Sequence, residues 1–411
     1  MRSASGARSR GPECLMIDRA VLAKVTAAIG ITSLCILQSF LIGALAHPIQ
    51  EDFPLDDALV GAGFSAYWLI AALTAVPCSR LVIRWGAARS LMVAGVSAGL
   101  ASMVIPLIAS NGVVFVSLVA GTGVTTALAT PAMNVVIMSV VNPSRQAFAL
   151  TAAGASPVFS LMAAGAATGV IGADGAWRLA YMSSGAVAIL IALAIGMMRE
   201  SFVDRAPAPA PAGSASERHS MRPLVLLMLG VAFGNAAIGA ATAFLVVTAP
   251  SAGVSAASAG VIVALGSGVS IVVRLIVASV VDRAGKDSMP LSAALMLCGT
   301  IGFGALGVAT LGTGSPVAYY VGALIVLVVS WPWVSLLLHG VLTRYRSDVA
   351  AASGIVQTVF FIGGVLGPGL MGLALTVGSV PMAWWCLAVS SGIAATVVAL
   401  SRKRLPEFVA R

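Results

Sequence analysis

The residues most able to do chemistry are the few polar ones set inside long apolar stretches. Arg274 is the one charged residue well inside such a stretch, and its guanidinium stays protonated and can hold an anion through paired N–H donors. Gln38, Asn134, Asn235 and Gln357 bring amide donors and acceptors into other stretches, while His339 brings the one interior group that titrates near neutral pH. No Asp or Glu lies well inside any apolar stretch. The charge of Arg274 is therefore left to a bound anion, to carbonyls, or to a reach back towards water. His47, His219 and His339 are scattered without clustered acids, and no phosphate loop, zinc spacing or nucleophile elbow is present. Gly302-Phe303-Gly304-Ala305-Leu306-Gly307 spells a dinucleotide fingerprint, but no strand precedes it and helix packing explains it. An enzyme is not expected, nor is a cofactor or metal.

The elements that position these residues follow from composition. Of 411 residues 59% are hydrophobic and 9% charged, against roughly 25% charged in a soluble domain. With a mean hydropathy of +1.03, the chain has more apolar surface than a water-facing fold can hide. A helix needs about 20 apolar residues to cross a bilayer. Twelve such spans are predicted, at 25–46, 59–79, 91–110, 113–138, 148–171, 178–198, 223–247, 258–281, 289–310, 317–341, 353–376 and 382–400. The fold class is thus an all-α membrane protein. The five cysteines are isolated and odd in number, and they support neither a disulfide framework nor a metal site.

Lys and Arg gather at cytoplasmic span ends. With the amino terminus inside, every one of the 23 basic residues except Arg178 and Arg274 falls on the cytoplasmic face, while Glu51, Asp52, Asp56, Asp57 and Asp174 fall outside. The net charge of +9 then reports topology in a cytoplasmic membrane, both termini inside, rather than a nucleic-acid footprint. The first apolar run is too long for a cleaved signal peptide, although Ala44-Leu45-Ala46 resembles a cleavage site.

The Pro- and Ala-rich segment around Ala206–Pro211 reads as a linker between two halves. The expected layout is a disordered cytoplasmic amino terminus at 1–22, a six-helix bundle at 23–200, a linker at 201–222, a second bundle at 223–401 and a cytoplasmic tail at 402–411. Landmarks repeat about 200 residues apart: Pro48 with Pro250, Pro131 with Pro332, Arg145 with Arg346, and Ile83-Arg84-Trp85-Gly86 with Asp282-Arg283-Ala284-Gly285. Six spans per half make the repeats parallel, and a binding site is expected between them near the midplane.

Asp282-Arg283-Ala284-Gly285-Lys286 and its weaker first copy resemble the loop motif of the major facilitator superfamily. Trp177-Arg178 and the run Gly363-Gly364-Val365-Leu366-Gly367-Pro368-Gly369 are similar to bacterial members. The first copy departs from the motif at Ser79 and Ile83, span 4 opens without an arginine, and span 5 carries only Gly154-Ala155-Ser156-Pro157. The resemblance implies that spans 1, 4, 7 and 10 line a cavity, that 2, 5, 8 and 11 join the halves, and that the others face lipid. It also implies gating by Arg84, Gly86, Asp282, Arg283 and Gly285. On helical spacing, Thr126, Thr130 and Asn134 share one face, as do Trp331, Ser335 and His339.

Substrate contact is expected from Arg274, Gln38, Asn134, Asn235, Trp331 and Gln357, with His339 as the candidate proton carrier. The expected function is a monomeric secondary transporter that moves a small organic solute, an anion on account of Arg274, by alternating access. The alternative is a drug or metabolite exporter with an apolar cavity, favoured by Trp331, Trp333, Phe360 and Phe361; a membrane sensor without transport is a more distant one.

Overall fold

The computed structural model describes residues 19–141, 149, 152–171, 177–199, 222–284, 286–312, 314–345 and 349–405. Twelve apolar helices run through them: α1 (Arg19–Ala44), α2 (Asp57–Trp85), α3 (Ala87–Ile108), α4 (Gly112–Val140), α5 (Ser156–Ile171), α6 (Trp177–Met197), α7 (Arg222–Phe244), α8 (Ala256–Ala284), α9 (Met289–Ala309), α10 (Pro316–Arg344), α11 (Val349–Val377) and α12 (Val380–Ser401). Eleven are long and apolar enough to cross a membrane; α5 is the shorter one among the described residues. The chain is therefore an all-α multi-pass membrane protein. The predicted 1–22 tail falls largely, and the 201–222 linker almost wholly, outside the described residues.

Local chemistry sets the helix ends. Asp56 accepts from the Leu59 N–H at 2.7 Å to cap α2, and Asn111 accepts from Val114 at 2.9 Å to cap α4. Gly86 has a φ of +82°, a left-handed conformation that lets one residue both end α2 and begin α3. Two predicted spans are less regular than expected. The α4 span is broken at Thr122, whose hydroxyl donates to the Val119 carbonyl at 2.6 Å. The α10 span widens to a π-helical stretch at Ile325–Ser330, where the Trp331 N–H donates to Val326 at 3.1 Å. Pro332 has no N–H to continue the regular ladder, which accounts for the widening just before it.

The packing pairs the helices at the join and at the periphery as the resemblance implies. Helix α3 packs on α6 and α9 on α12, with Leu100, Leu190, Ile301 and Val389 exposed as a lipid-facing skin. The first and second six helices meet chiefly along α2 against α11 and α5 against α8. At the end holding the α1–α2 connection, this meeting is backbone against backbone. A Cβ on Gly43 would strike the Ala243 carbonyl, one on Gly61 the Pro368 carbonyl, and one on Gly165 would lie 2.7 Å from the Gly260 carbonyl oxygen. At the opposite, arginine-rich end, an apolar groove of about 650 Å³ separates α2 from α11, lined by Leu69, Val76, Ile83, Phe361, Ile362 and Leu366. A groove of about 780 Å³, lined by Leu55, Ala58, Leu59 and Leu373, also lies beside the α2–α11 join at the α1–α2 end.

Candidate functional site

Arg274 lies on α8, a helix that contacts the other half through α5, and only 3% of it is exposed. Its Nη1 donates to Ser335 Oγ on α10 at 3.1 Å and to the Gly154 carbonyl, in the first half, at 3.4 Å. That carbonyl is available for a local reason. Before Pro157 the chain makes a turn, and Val158 N–H donates to Ala155 rather than to Gly154. The Gly154-Ala155-Ser156-Pro157 segment therefore supplies an acceptor across the join between the halves.

The remaining Arg274 nitrogens, Nε and Nη2, are buried and have no hydrogen-bond partner among the described residues. Ser270 and Ser267, one and two turns away on the same face, are fully buried, and their hydroxyls also lack partners. Leaving a buried charge incompletely answered costs several kcal/mol, and an unmet hydroxyl about 1–3 kcal/mol. Such a run of unmet polar atoms in a packed membrane core is the arrangement a bound polar solute would relieve.

The other expected contacts are dispersed. Gln38 Nε2 bonds Ser102 Oγ on α3, joining helices within the first half, while its Oε1 is buried without a partner among the described residues. Asn235 Nδ2 donates to the Phe360 carbonyl at 2.7 Å, tying α7 to α11 within the second half. His339 Nδ1 sits 3.2 Å from Ser288 Oγ, at the start of α9. Trp331 is 6% exposed at the π-helical step. The Thr126 hydroxyl is taken by Tyr67 while Asn134 is exposed, so the expected α4 stripe divides between packing and surface. The side chain of Gln357 lies outside the described residues.

Of the expected gate residues, Arg84 and Arg283 are exposed at the arginine-rich end, and neither forms an ion pair among the described residues. Gly86 serves the turn. The Asp282 side chain and Gly285 lie outside the described residues. The pairing that does form there is one the sequence did not single out. Arg344, with 4% of its side chain exposed, grips Asp287 through Nη1 at 3.0 Å and Nη2 at 2.6 Å, and so fixes the α8–α9 connection to the end of α10. Burial alone would raise the Asp287 carboxyl, but the Arg344 hydrogen bond, helped by the Met289 N–H, holds it below the usual carboxylate range. At the end holding the α1–α2 connection, Asp52 takes a 2.7 Å bond from Trp177 Nε1 and pairs with Arg178. The Trp177 bond first, and then Arg178, keeps its carboxyl low. Both pairs stay within one half.

The sequence profile described as Major Facilitator Superfamily matches residues 27–345. The chain matches none of the curated proteins. Among solved structures, it resembles a bacterial homolog of the human lysosomal transporter Spinster, inward-facing and unoccupied. Identity is 16%, with 94% of this chain and 96% of that one covered at a TM-score of 0.67. The peptide transporter POT gives 12% identity, 95% and 96% coverage and a TM-score of 0.76. The xylose transporter XylE from E. coli, inward open, gives 15%, 92%, 95% and 0.70. At these identities the likeness is one of fold.

Proposed function

Because the chain belongs to the Major Facilitator Superfamily, we propose that it is a secondary transporter that carries a small organic anion by alternating access, with Arg274 meeting the anion. The observation that carries this reading is a buried guanidinium with two unpartnered nitrogens, placed where α5, α8 and α10 meet. With no acid well inside any span to answer it, a substrate anion is the partner the site lacks.

Alternating access is supported by the layout: two six-helix halves meet along two seams, α2 against α11 and α5 against α8, about which one half can rock on the other. The gathering of Lys and Arg supports an orientation in the inner membrane with the arginine-rich end and both termini on the cytoplasmic side. Arg84 and Arg283, with Asp282, are read as cytoplasmic gate elements on the strength of the loop motif. Asn134, exposed on α4, is the amide best able to supplement Arg274.

The exporter reading rests on one specific feature, the apolar groove of about 650 Å³ beside Phe361. Counterflow into proteoliposomes, using a panel of carboxylates and hydrophobic cations, separates the two. The anion reading predicts exchange of carboxylates, whereas preferential movement of hydrophobic cations would favour the exporter.

A further inference from the structure

The groove between α2 and α11 at the arginine-rich end is walled by Leu69, Val76 and Ile83 on α2 and by Ile362 and Leu366 on α11, all exposed. Apolar surface of this kind along a membrane helix is covered by acyl chains. Arg80 is the one charged residue in the lining, and it makes no hydrogen bond or ion pair among the described residues. Leu69 stands at the middle of the span read over 59–79, so the groove runs from the midplane to Arg80, about 16 Å further along the helix. Half of a hydrocarbon core is about 15 Å. The groove is thus one leaflet deep, and Arg80 stands where headgroups begin.

The internal repeat brings out what is particular to this end. At the spacing that matches Ile83 to Asp282, Arg80 matches Ser279, so the first copy has a cation and an apolar residue where the second has a hydroxyl and an acid. Arg80 is left without the carboxylate that Ile83 replaces. Arg84 and Arg89 are exposed at the same end and add positive field, and the exposed Trp85 ring suits the headgroup level. The groove at the α1–α2 end has the opposite sign, with Asp56 as the one charged residue in its lining. Charge and shape together choose the occupant: Arg80 repels a hydrophobic cation, and a free anion gains nothing from the apolar walls. We propose that the α2–α11 groove seats one acyl chain of an anionic membrane phospholipid whose phosphate is held by Arg80. This lipid is a bound component at the join of the halves, distinct from the transported solute.

The test uses the purified full-length protein in detergent with phosphatidylglycerol or phosphatidylcholine carrying a diazirine in one acyl chain. Retained lipid is counted by native mass spectrometry, and crosslinked peptides locate it. Wild type should retain phosphatidylglycerol several-fold better than phosphatidylcholine, with crosslinks on α2 from Leu69 to Ile83 and on α11 beside Ile362 and Leu366. Arg80→Gln should weaken phosphatidylglycerol about fivefold, the worth of one basic residue at an anionic membrane surface. Arg80→Lys keeps the charge and should restore most of that loss. Ala75→Phe fills the groove and should remove the crosslinks of both lipids there; the Arg80 arms stand even if this variant does not fold. Inorganic phosphate, which has no chain, should not compete.

Equal retention of the two lipids by wild type, or phosphatidylglycerol binding unchanged in Arg80→Gln, would overturn the proposal. So would crosslinks as dense in the groove beside Asp56 as in the groove beside Arg80, which would mean general lipid coverage without a seat. Displacement of the lipid by tetraphenylphosphonium would give the groove to the exporter reading instead. None of these outcomes depends on whether carboxylates are exchanged, so the lipid seat and the anion-transporter reading stand or fall separately.

Discussion

At the scale of single residues, two arginines show how differently buried charge can be settled. Arg344 is paired with a carboxylate, Asp287, through two hydrogen bonds, and the pair braces the α8–α9 connection. Arg274 is answered at one nitrogen and left open at two. The first is structural, and its consequence is a stability effect. Replacing Asp287 with Asn should lower the melting temperature by the equivalent of about 2 kcal/mol, the worth of charge-assisted hydrogen bonds. The folded-state pKa of Asp287 is depressed. Its contribution is therefore full above the unfolded value of about 3.9 and is lost as pH falls through the lower folded value. Melting curves of wild type and Asp287→Asn should converge in acid; a constant gap down to pH 2 would contradict this. Arg274 was legible in the sequence because a lone charge in an apolar run has few explanations. The Asp287–Arg344 pair was not, because both residues sit at polar helix ends and only the folded connection brings them together. The same limit explains Gln38 and Asn235: an amide inside a span signals a partner but does not say whether it is a neighbouring helix or a solute.

Among the helices, the closest approaches between the halves are glycine-to-backbone contacts near the α1–α2 connection. Gly61 permits α2 to lie directly on α11, and a larger residue there must hold the two apart. Gly61→Leu should therefore favour the state open at that end. With the five native cysteines replaced, a cysteine at Ala58 should react with a water-soluble maleimide faster in Gly61→Leu than in its parent. Equal rates would show that the contact does not control the seal. All twelve spans could be located by apolar length, since hydrocarbon imposes that length on any helix crossing it. Their internal breaks were harder to foresee. Pro131 and Pro332 are equivalent landmarks in the sequence, yet α4 continues helically past Pro131 to Val140 while α10 widens to a π-helical stretch ahead of Pro332. The break in α4 falls instead at Thr122, where a side chain competes for a backbone carbonyl. The outcome at each proline depends on how neighbouring helices absorb the lost hydrogen bond, which spacing alone does not encode.

For the whole molecule, the basic residues at one face and the acids near Asp52 and Asp56 at the other predict the orientation in the membrane. In intact cells, a cysteine at Asp56 should be labelled by an impermeant maleimide and one at Lys286 protected until the cells are opened; the reverse pattern would invert the topology. Arg274, where α5, α8 and α10 come together, is the residue on which the anion reading turns. The most direct measurement of that account is anion counterflow by wild type and Arg274→Ala at equal protein density in proteoliposomes. The account predicts exchange of a small carboxylate by wild type and a loss of at least about tenfold, equivalent to 1.4 kcal/mol, in the variant. Undiminished carboxylate exchange by a folded Arg274→Ala protein would contradict it.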